Sequence, residues 1–286
     1  MKTRKQYLLA GIAIGAIMVV VFLGIGAAVS AFPSGRLAGL IVPAASTAVP
    51  PLDEVIPLES VSDLTSLNAT VKISVNGLID GERAQGELTG LLAVDEQGKS
   101  QITVSGSLLG DLAAQVGGSV VGLFTPSKVD LYKVPEGAYV VLGGLFPMCI
   151  KPEALNATDT LDEMSPLSML SMLTSSEVAR GKLVGEEKLN GVAVKHYVIN
   201  GDAFLAAAQA SSDPQLQAFG QALWSADDAD LYVNEDGYPV LFSGSYSGEY
   251  APLKFEGNFT VEIALTGVNT NPSVKLPSSC KKPVSG

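Results

Sequence analysis

Apolar and polar residues alternate one for one through much of this chain. Leu67, Ala69, Val71, Ile73 and Val75 alternate with Asn68, Thr70, Lys72, Ser74 and Asn76. A period of two sends successive side chains to opposite faces, so this stretch is a strand with one buried and one wet face. Asp80-Gly81 marks a turn, Leu88, Leu92 and Val94 continue the pattern, and after Gln97-Gly98 a third strand follows with Ile102 and Val104. Residues 128–134 and 138–142 read as a hairpin around Pro135-Glu136-Gly137. The clearest alternation is the last one. Phe255, Gly257, Phe259, Val261, Ile263 and Leu265 are interleaved with Lys254, Glu256, Asn258, Thr260 and Glu262.

The organising stretch is 180–245. It reads as two hairpins, 180–199 around Asn190-Gly191 and 229–242 around Asp236-Gly237. Asn-Gly and Asp-Gly accept the positive φ angles of a two-residue turn. Between them the period changes to that of a helix. Asp202 is expected to cap a helix running through Ala210, and Asp213-Pro214 to start a second. On the second, Leu216, Phe219, Gly220, Leu223 and Trp224 follow i, i+3, i+4, i+7, i+8, one apolar face. Leu108, Leu109, Leu112, Ala113 and Val116 also have helical spacing, weakened by Gly117, Gly118 and Gly122. Ser165-Pro166 opens a helix over 167–173, while 143–164 reads as irregular. The total is about ten strands and three or four helices. Hairpins with short connections, and no β-α-β unit carrying a phosphate loop, predict an α+β fold: a curved antiparallel sheet with helices on one face.

The amino terminus differs. Residues 7–32 carry no charge and follow Lys2, Arg4 and Lys5. This run exceeds the roughly 20 apolar residues that span a bilayer and the apolar core of a signal peptide. Its length favours a retained transmembrane helix over a signal peptide cleaved near Val29-Ser30-Ala31, after which the protein would be secreted. The basic cluster stays inside, so both readings put the remaining chain outside the cytoplasm. Gly11 and Gly15 form a Gly-x-x-x-Gly pair, a spacing that lets membrane helices approach closely. The expected division is a basic cytoplasmic tail (1–6), a single-pass anchor or uncleaved signal segment (7–32), a Pro-rich linker (33–60), an extracytoplasmic domain (61–280) and a short tail (281–286).

Composition adds mainly exclusions. The net charge of −11 argues against nucleic acid, whose phosphates need basic clusters. It also disfavours docking on anionic lipid. His196 is the sole histidine, and one ring in mid-strand does not make a metal site. Gly244-Ser245-Tyr246-Ser247-Gly248 places Tyr where a nucleophile elbow has Ser. Asp227, Asp228 and Asp230 lack the spacing and glycine of a calcium loop, and read as a solvated strand entry. Asn68, Asn156 and Asn258 each begin an Asn-x-Thr triplet, common by chance. No cofactor, metal or catalytic residue is expected. Cys149 and Cys280 are the two cysteines, and outside the cytoplasm such a pair tends to be bonded.

The run Gly185-Glu186-Glu187-Lys188-Leu189-Asn190-Gly191-Val192, then Lys195-His196-Tyr197, then a helix, then 230–240, resembles the LppX/LprG-type bacterial lipoproteins. These share the fold of the LolA lipoprotein carrier. The resemblance covers about 64–276 and rests on turn and strand signatures. It implies a curved antiparallel half-barrel with helices on its concave face and a lipophilic ligand (lipid, glycolipid or acyl chain) between them. The candidate lining is then Leu108, Leu109, Leu112, Val116, Leu167, Leu170, Leu173, Phe219, Leu223 and Trp224. Equally, these residues simply fill a core. One departure matters: no cysteine precedes Cys149, so the lipidated anchor usual in such relatives is missing and the transmembrane reading gains weight. A second reading is an envelope sensor or scaffold that contacts a membrane protein partner.

Overall fold

The computed structural model describes residues 54–61, 64–109, 128–143, 147–151, 166–250 and 254–285. The strands are β1 (Leu67–Ile79), β2 (Glu82–Val94), β3 (Ser100–Ser105), β4 (Lys128–Val134), β5 (Gly137–Leu142) and β6 (Met148–Lys151), then β7 (Lys182–Leu189), β8 (Val192–Ile199), β9 (Leu223–Ala226), β10 (Ala229–Asn234), β11 (Pro239–Tyr250), β12 (Phe255–Val268) and β13 (Val284–Ser285). The helices are α1 (Pro166–Leu173), α2 (Gly201–Gln209) and α3 (Pro214–Ala222). All thirteen strands belong to one sheet, ordered β13-β6-β5-β4-β3-β2-β1-β12-β11-β10-β8-β7, with β9 paired to β11. The sheet is open, because β13 and β7 are its two ends, and every pairing is antiparallel except β13 on β6.

The described residues already hold thirteen strands, three more than the roughly ten expected. Segments β6, β9 and β13 have four, four and two residues, too short to display a period of two. Met148–Lys151 also corrects the reading of 143–164 as irregular throughout.

Alternation assigns the two faces. Leu67, Val71, Ile73, Leu88, Leu92, Ile102, Val104, Leu131, Leu231, Phe242, Val261 and Ile263 point to the inner face, where they form one buried cluster with Leu170 and Leu173 of α1, Phe204 and Ala208 of α2, and Leu216 and Phe219 of α3. The helices therefore cover this face. The outer face of the central strands is mostly polar, Leu78 and Leu91 apart, and bears the Lys72–Glu262 ion pair at 2.9 Å. Over β4–β6 it turns apolar, with Tyr132, Tyr139, Val141 and Cys149 packed against Val274 and Cys280 of the carboxy-terminal segment. Cys149 and Cys280 are disulfide-bonded, their Cα atoms 5.1 Å apart. The bond clips the chain's last stretch to the sheet.

The segment before β1 also packs. Ile56 and Val61 are buried in the main cluster, Val55 forms a bridge with Arg180, and Ile56 N–H donates to the Ala179 carbonyl. Ile56 falls in the stretch expected as linker. Residues 7–32 lie outside the described residues, and among the described residues no helix is long and apolar enough to cross a membrane.

Candidate functional site

Two places gather unusual side chains: the aromatic layer on the inner face and a histidine cluster on the outer face.

The inner layer is built by the two central helices. Asn200, not Asp202, caps α2: its side chain accepts from Ala203 N–H at 3.0 Å. Asp202 sits in the first turn, where its charge suits the helix dipole. Asp228 accepts from Gly201 N–H at 2.9 Å and from Asn200 Nδ2 at 3.2 Å, tying the start of α2 to the β9–β10 connection. Asp213 caps α3 by accepting from Gln215 and Leu216 N–H, with Pro214 at the first helical position. The two helices pack together and aim Phe204 and Phe219 at the sheet.

There they meet Tyr246 of β11 and Phe259 of β12. The Phe219 and Tyr246 rings are 5.4 Å apart and nearly perpendicular. Tyr246 lies 5.7 Å from Phe204 and 5.4 Å from Phe259, and Phe255 extends the file 6.4 Å beyond Phe259. These are favourable ring separations. Phe204, Phe219 and Tyr246 are buried, whereas Phe259, like Val75 and Ala84 beside it, is only half-buried. The layer is thus partly exposed at Phe259, while Phe255 beyond it is buried. The Tyr246 hydroxyl is buried and has no hydrogen-bond partner among the described residues. Burial, with no charged group contributing, pushes its phenol far above the usual range.

The ten proposed lining residues are distributed as follows. Leu108, Leu109, Leu170, Leu173, Phe219 and Leu223 belong to the inner-face cluster, and Leu167 packs against it. Leu112 and Val116 lie outside the described residues. Trp224 is a correction. It is 54% exposed, because α3 stops at Ala222 and the next residues pair with β11 as β9. In a strand, neighbours point to opposite faces, so Leu223 goes in and Trp224 goes out. Tyr246 was missed in the sequence: its phase in β11 places it inward, but its ring neighbours come from three other elements.

The outer-face cluster centres on His196 of β8. Its Nε2 is 2.7 Å from Asp230 Oδ1 and its Nδ1 is 3.4 Å from Glu187 Oε1. Its ring stacks on Tyr232 at 4.3 Å, with 9° between the planes. Desolvation, then Asp230, then Glu187 raise the Tyr232 phenol. The ring is packed and hydrogen-bonded, as a structural histidine is. Among the described residues no group of His, Cys, Asp and Glu is arranged to hold a metal.

An open groove of about 250 Å³ crosses β2, β1 and β12. Its walls include Ser74, Asn76, Gln85, Glu87, Asn258 and Thr260. All six stand on the outer face by their phase in the strands, and Val75, Gly86 and Phe259 between them complete the lining.

No family model matches the chain, and no curated protein matches it. Among solved structures it is similar to LprF from Mycobacterium bovis, at 13% identity and TM-score 0.40, over 76% of this chain and 90% of that one. It is also similar to a LolA superfamily protein from Nitrosomonas europaea (10% identity, TM-score 0.21, 74% and 87% covered). A third is a putative outer membrane lipoprotein-sorting protein domain from Vibrio parahaemolyticus (9%, 0.21, 73% and 87%). These likenesses, to LprF and to LolA-type proteins, are of fold alone.

Proposed function

We propose that the domain holds a lipophilic ligand between its sheet and its helices, outside the cytoplasm. The observation that carries this reading is the file Phe204–Phe219–Tyr246–Phe259–Phe255, an aromatic layer between helices and sheet that is buried except at the partly buried Phe259. Sites for apolar ligands are lined by aromatic and aliphatic side chains with few polar groups, and here the one polar group within the file is the Tyr246 hydroxyl. The ligand enters beside Val75, Ala84 and Phe259 and lodges against α2 and α3, with Leu108, Leu109, Leu170, Leu173 and Leu223 as the surrounding wall. In this reading the sheet is a half-barrel with the helices on its concave side, and residues 7–32 tether it to the membrane as a single-pass helix. The domain acts by binding and not by catalysis. The sequence resemblance to LppX/LprG-type lipoproteins supports the same reading.

Native mass spectrometry after mild purification tests it, together with uptake of a fluorescent fatty acyl probe. A co-purifying lipid mass, or saturable uptake near one probe per chain, is expected. Absence of both overturns the proposal.

A sensor or scaffold role has one observation in its favour. Strand β7 is a sheet edge, and Leu183 and Val184 on it are 47% and 59% exposed. Free edges template pairing with a partner strand. Cross-linking in membranes through this edge would then trap a specific membrane protein, in a complex containing no stoichiometric lipid.

A further inference from the structure

We propose that the groove on the outer face of β2, β1 and β12 binds a neutral, extended oligosaccharide, one sugar unit per strand. The two walls of the groove stand on the opposite side of the sheet from α2 and α3, so the proposal is independent of the lipophilic reading.

Strand pairing builds the groove. Ser74 stands opposite both Glu87 and Thr260, and Asn76 opposite both Gln85 and Asn258. Residues two apart in a strand share a face, so these side chains form two parallel rows that run across the strands. Between the rows lie Val75, Gly86 and Phe259. The phase that puts the rows outside turns the Val75 and Phe259 side chains inward and leaves backbone as the floor. The space between the rows is about 250 Å³ and open to solvent. Ser245 and Ser247 of β11 stand opposite Thr260 and Asn258 and prolong both rows by one strand.

The chemistry of the walls selects the ligand. Three of the six side chains are carboxamides and two are hydroxyls. Each amide offers donors beside an acceptor, and each hydroxyl offers both on one atom. Few of these groups are used within the protein. Ser74 Oγ donates to Glu87 at 3.3 Å, and Ser247 Oγ to Asn258 Oδ1 at 2.8 Å. The Asn76, Gln85 and Thr260 side chains have no hydrogen-bond partner among the described residues. The hydroxyls of a sugar also donate and accept, so they pair with such walls in either sense. Glu87 is the one charge in the lining, and it repels an anion. A hydrocarbon would strip water from the amides and return no hydrogen bond.

Spacing sets the shape of the ligand. Paired strands lie about 4.8 Å apart, and an extended β-1,4-linked chain advances about 5 Å per sugar, so successive units meet successive strands. A coiled α-1,4-linked chain has no such match. No ring side chain stands in either row, so hydrogen bonds carry the recognition.

The test titrates chitotetraose and cellotetraose, both extended, into isotopically labelled full-length protein in detergent, with the coiled maltotetraose as comparison. At least one extended tetramer should bind saturably, roughly tenfold tighter than maltotetraose, a difference of one or two hydrogen bonds. The amide signals that shift should be those of 74–76, 85–87 and 258–260. Asn76→Ala/Gln85→Ala, which truncates two exposed side chains, should weaken binding by about tenfold or more. Thr89→Ala, on the same face of β2 but outside the groove, should leave it unchanged.

No saturable binding of either extended tetramer overturns the proposal. Equal binding of maltotetraose removes the spacing argument and overturns it too, as does affinity that survives in Asn76→Ala/Gln85→Ala. Shift mapping on the wild type locates the site if that variant fails to fold, and shifts confined to other residues are equally fatal. Acyl-probe uptake on the same sample reads the inner face separately, and no tetramer should displace the probe.

Discussion

His196 lies across from Tyr232 in the β8–β10 ladder, and the two rings are stacked 4.3 Å apart. Asp230, two residues before Tyr232 on the same face, closes on His196 Nε2 at 2.7 Å, and Glu187 approaches Nδ1 from β7 at 3.4 Å. Three strands thus contribute one packed, hydrogen-bonded group on the outer face. It contains two carboxylates, an imidazole and a phenol, and it faces away from the aromatic layer.

His196→Gln should therefore leave ligand retention unchanged within error. The variant loses a stacked ring pair, so its stability should fall by less than about 1.5 kcal/mol. Thermal melts and acyl-probe retention measured on the same sample separate the two effects. A variant as stable as wild type that no longer retains probe would assign the cluster a functional role.

Gly191→Val should destabilise the domain by about 1–3 kcal/mol. Asn190 and Gly191 have φ of 52° and 87°, the positive pair that this hairpin turn requires. A Cβ at Gly191 would meet nothing within 4 Å, so the cost is conformational and not steric. Urea titration should show a lower midpoint with an unchanged slope, and probe binding lost only as unfolding begins.

Removing the Cys149–Cys280 bond should lower the melting temperature markedly. It joins residues 131 apart, and the chain-entropy model assigns such a loop about 4–5 kcal/mol. Cys149→Ser/Cys280→Ser should melt like the reduced wild type and ignore reductant. Proteolysis of that variant should begin in 269–285, which the bond holds against Tyr132, Tyr139 and Val141. Equal melting of oxidised and reduced wild type would show that packing alone holds the segment.

Acid should weaken the link between the turn that follows α1 and the α2–α3 turn. Ser211 Oγ and Ser212 Oγ both donate to the Glu177 carboxylate, and the Ser211 bond, then the Ser212 bond, lower its pKa. A carboxyl lowered on folding stabilises above its unfolded pKa, about 4.3, and that stabilisation is lost as pH falls through the folded value. Wild type should exceed Glu177→Gln in melting temperature at neutral pH, and the gap should close progressively below about pH 4. A gap that stays constant with pH would remove the charge from the explanation.

Several features were legible in the linear chain. Alternation identified β1 and β12 because each has a buried and a solvated face, a local property that survives without knowing the partner. Asn190-Gly191 and Asp213-Pro214 were legible for a similar reason: the turn and the cap are made within a few residues. Where the local signal was ambiguous, tertiary structure decided. Leu223 and Trp224 fit a helical period, but pairing with β11 captured them as a strand and put Trp224 outside. Asp202 and Asn200 are both good caps, and Asp228, reaching in from the β9–β10 connection, favours Asn200.

By itself, then, the chain determined its longer strands, its hairpin turns and the presence of apolar helix faces, since these follow from backbone preferences and from a period read over a few residues. Only the tertiary structure decided that β1 pairs β12 across the length of the domain, with Val71 opposite Ile263. It alone set His196 between Asp230 and Glu187 and enclosed the Tyr246 hydroxyl among rings from α2, α3 and β12. Those contacts join residues far apart in sequence. Which of the many compatible pairings forms depends on burying one shared inner face at a common register, and no local pattern encodes that sum.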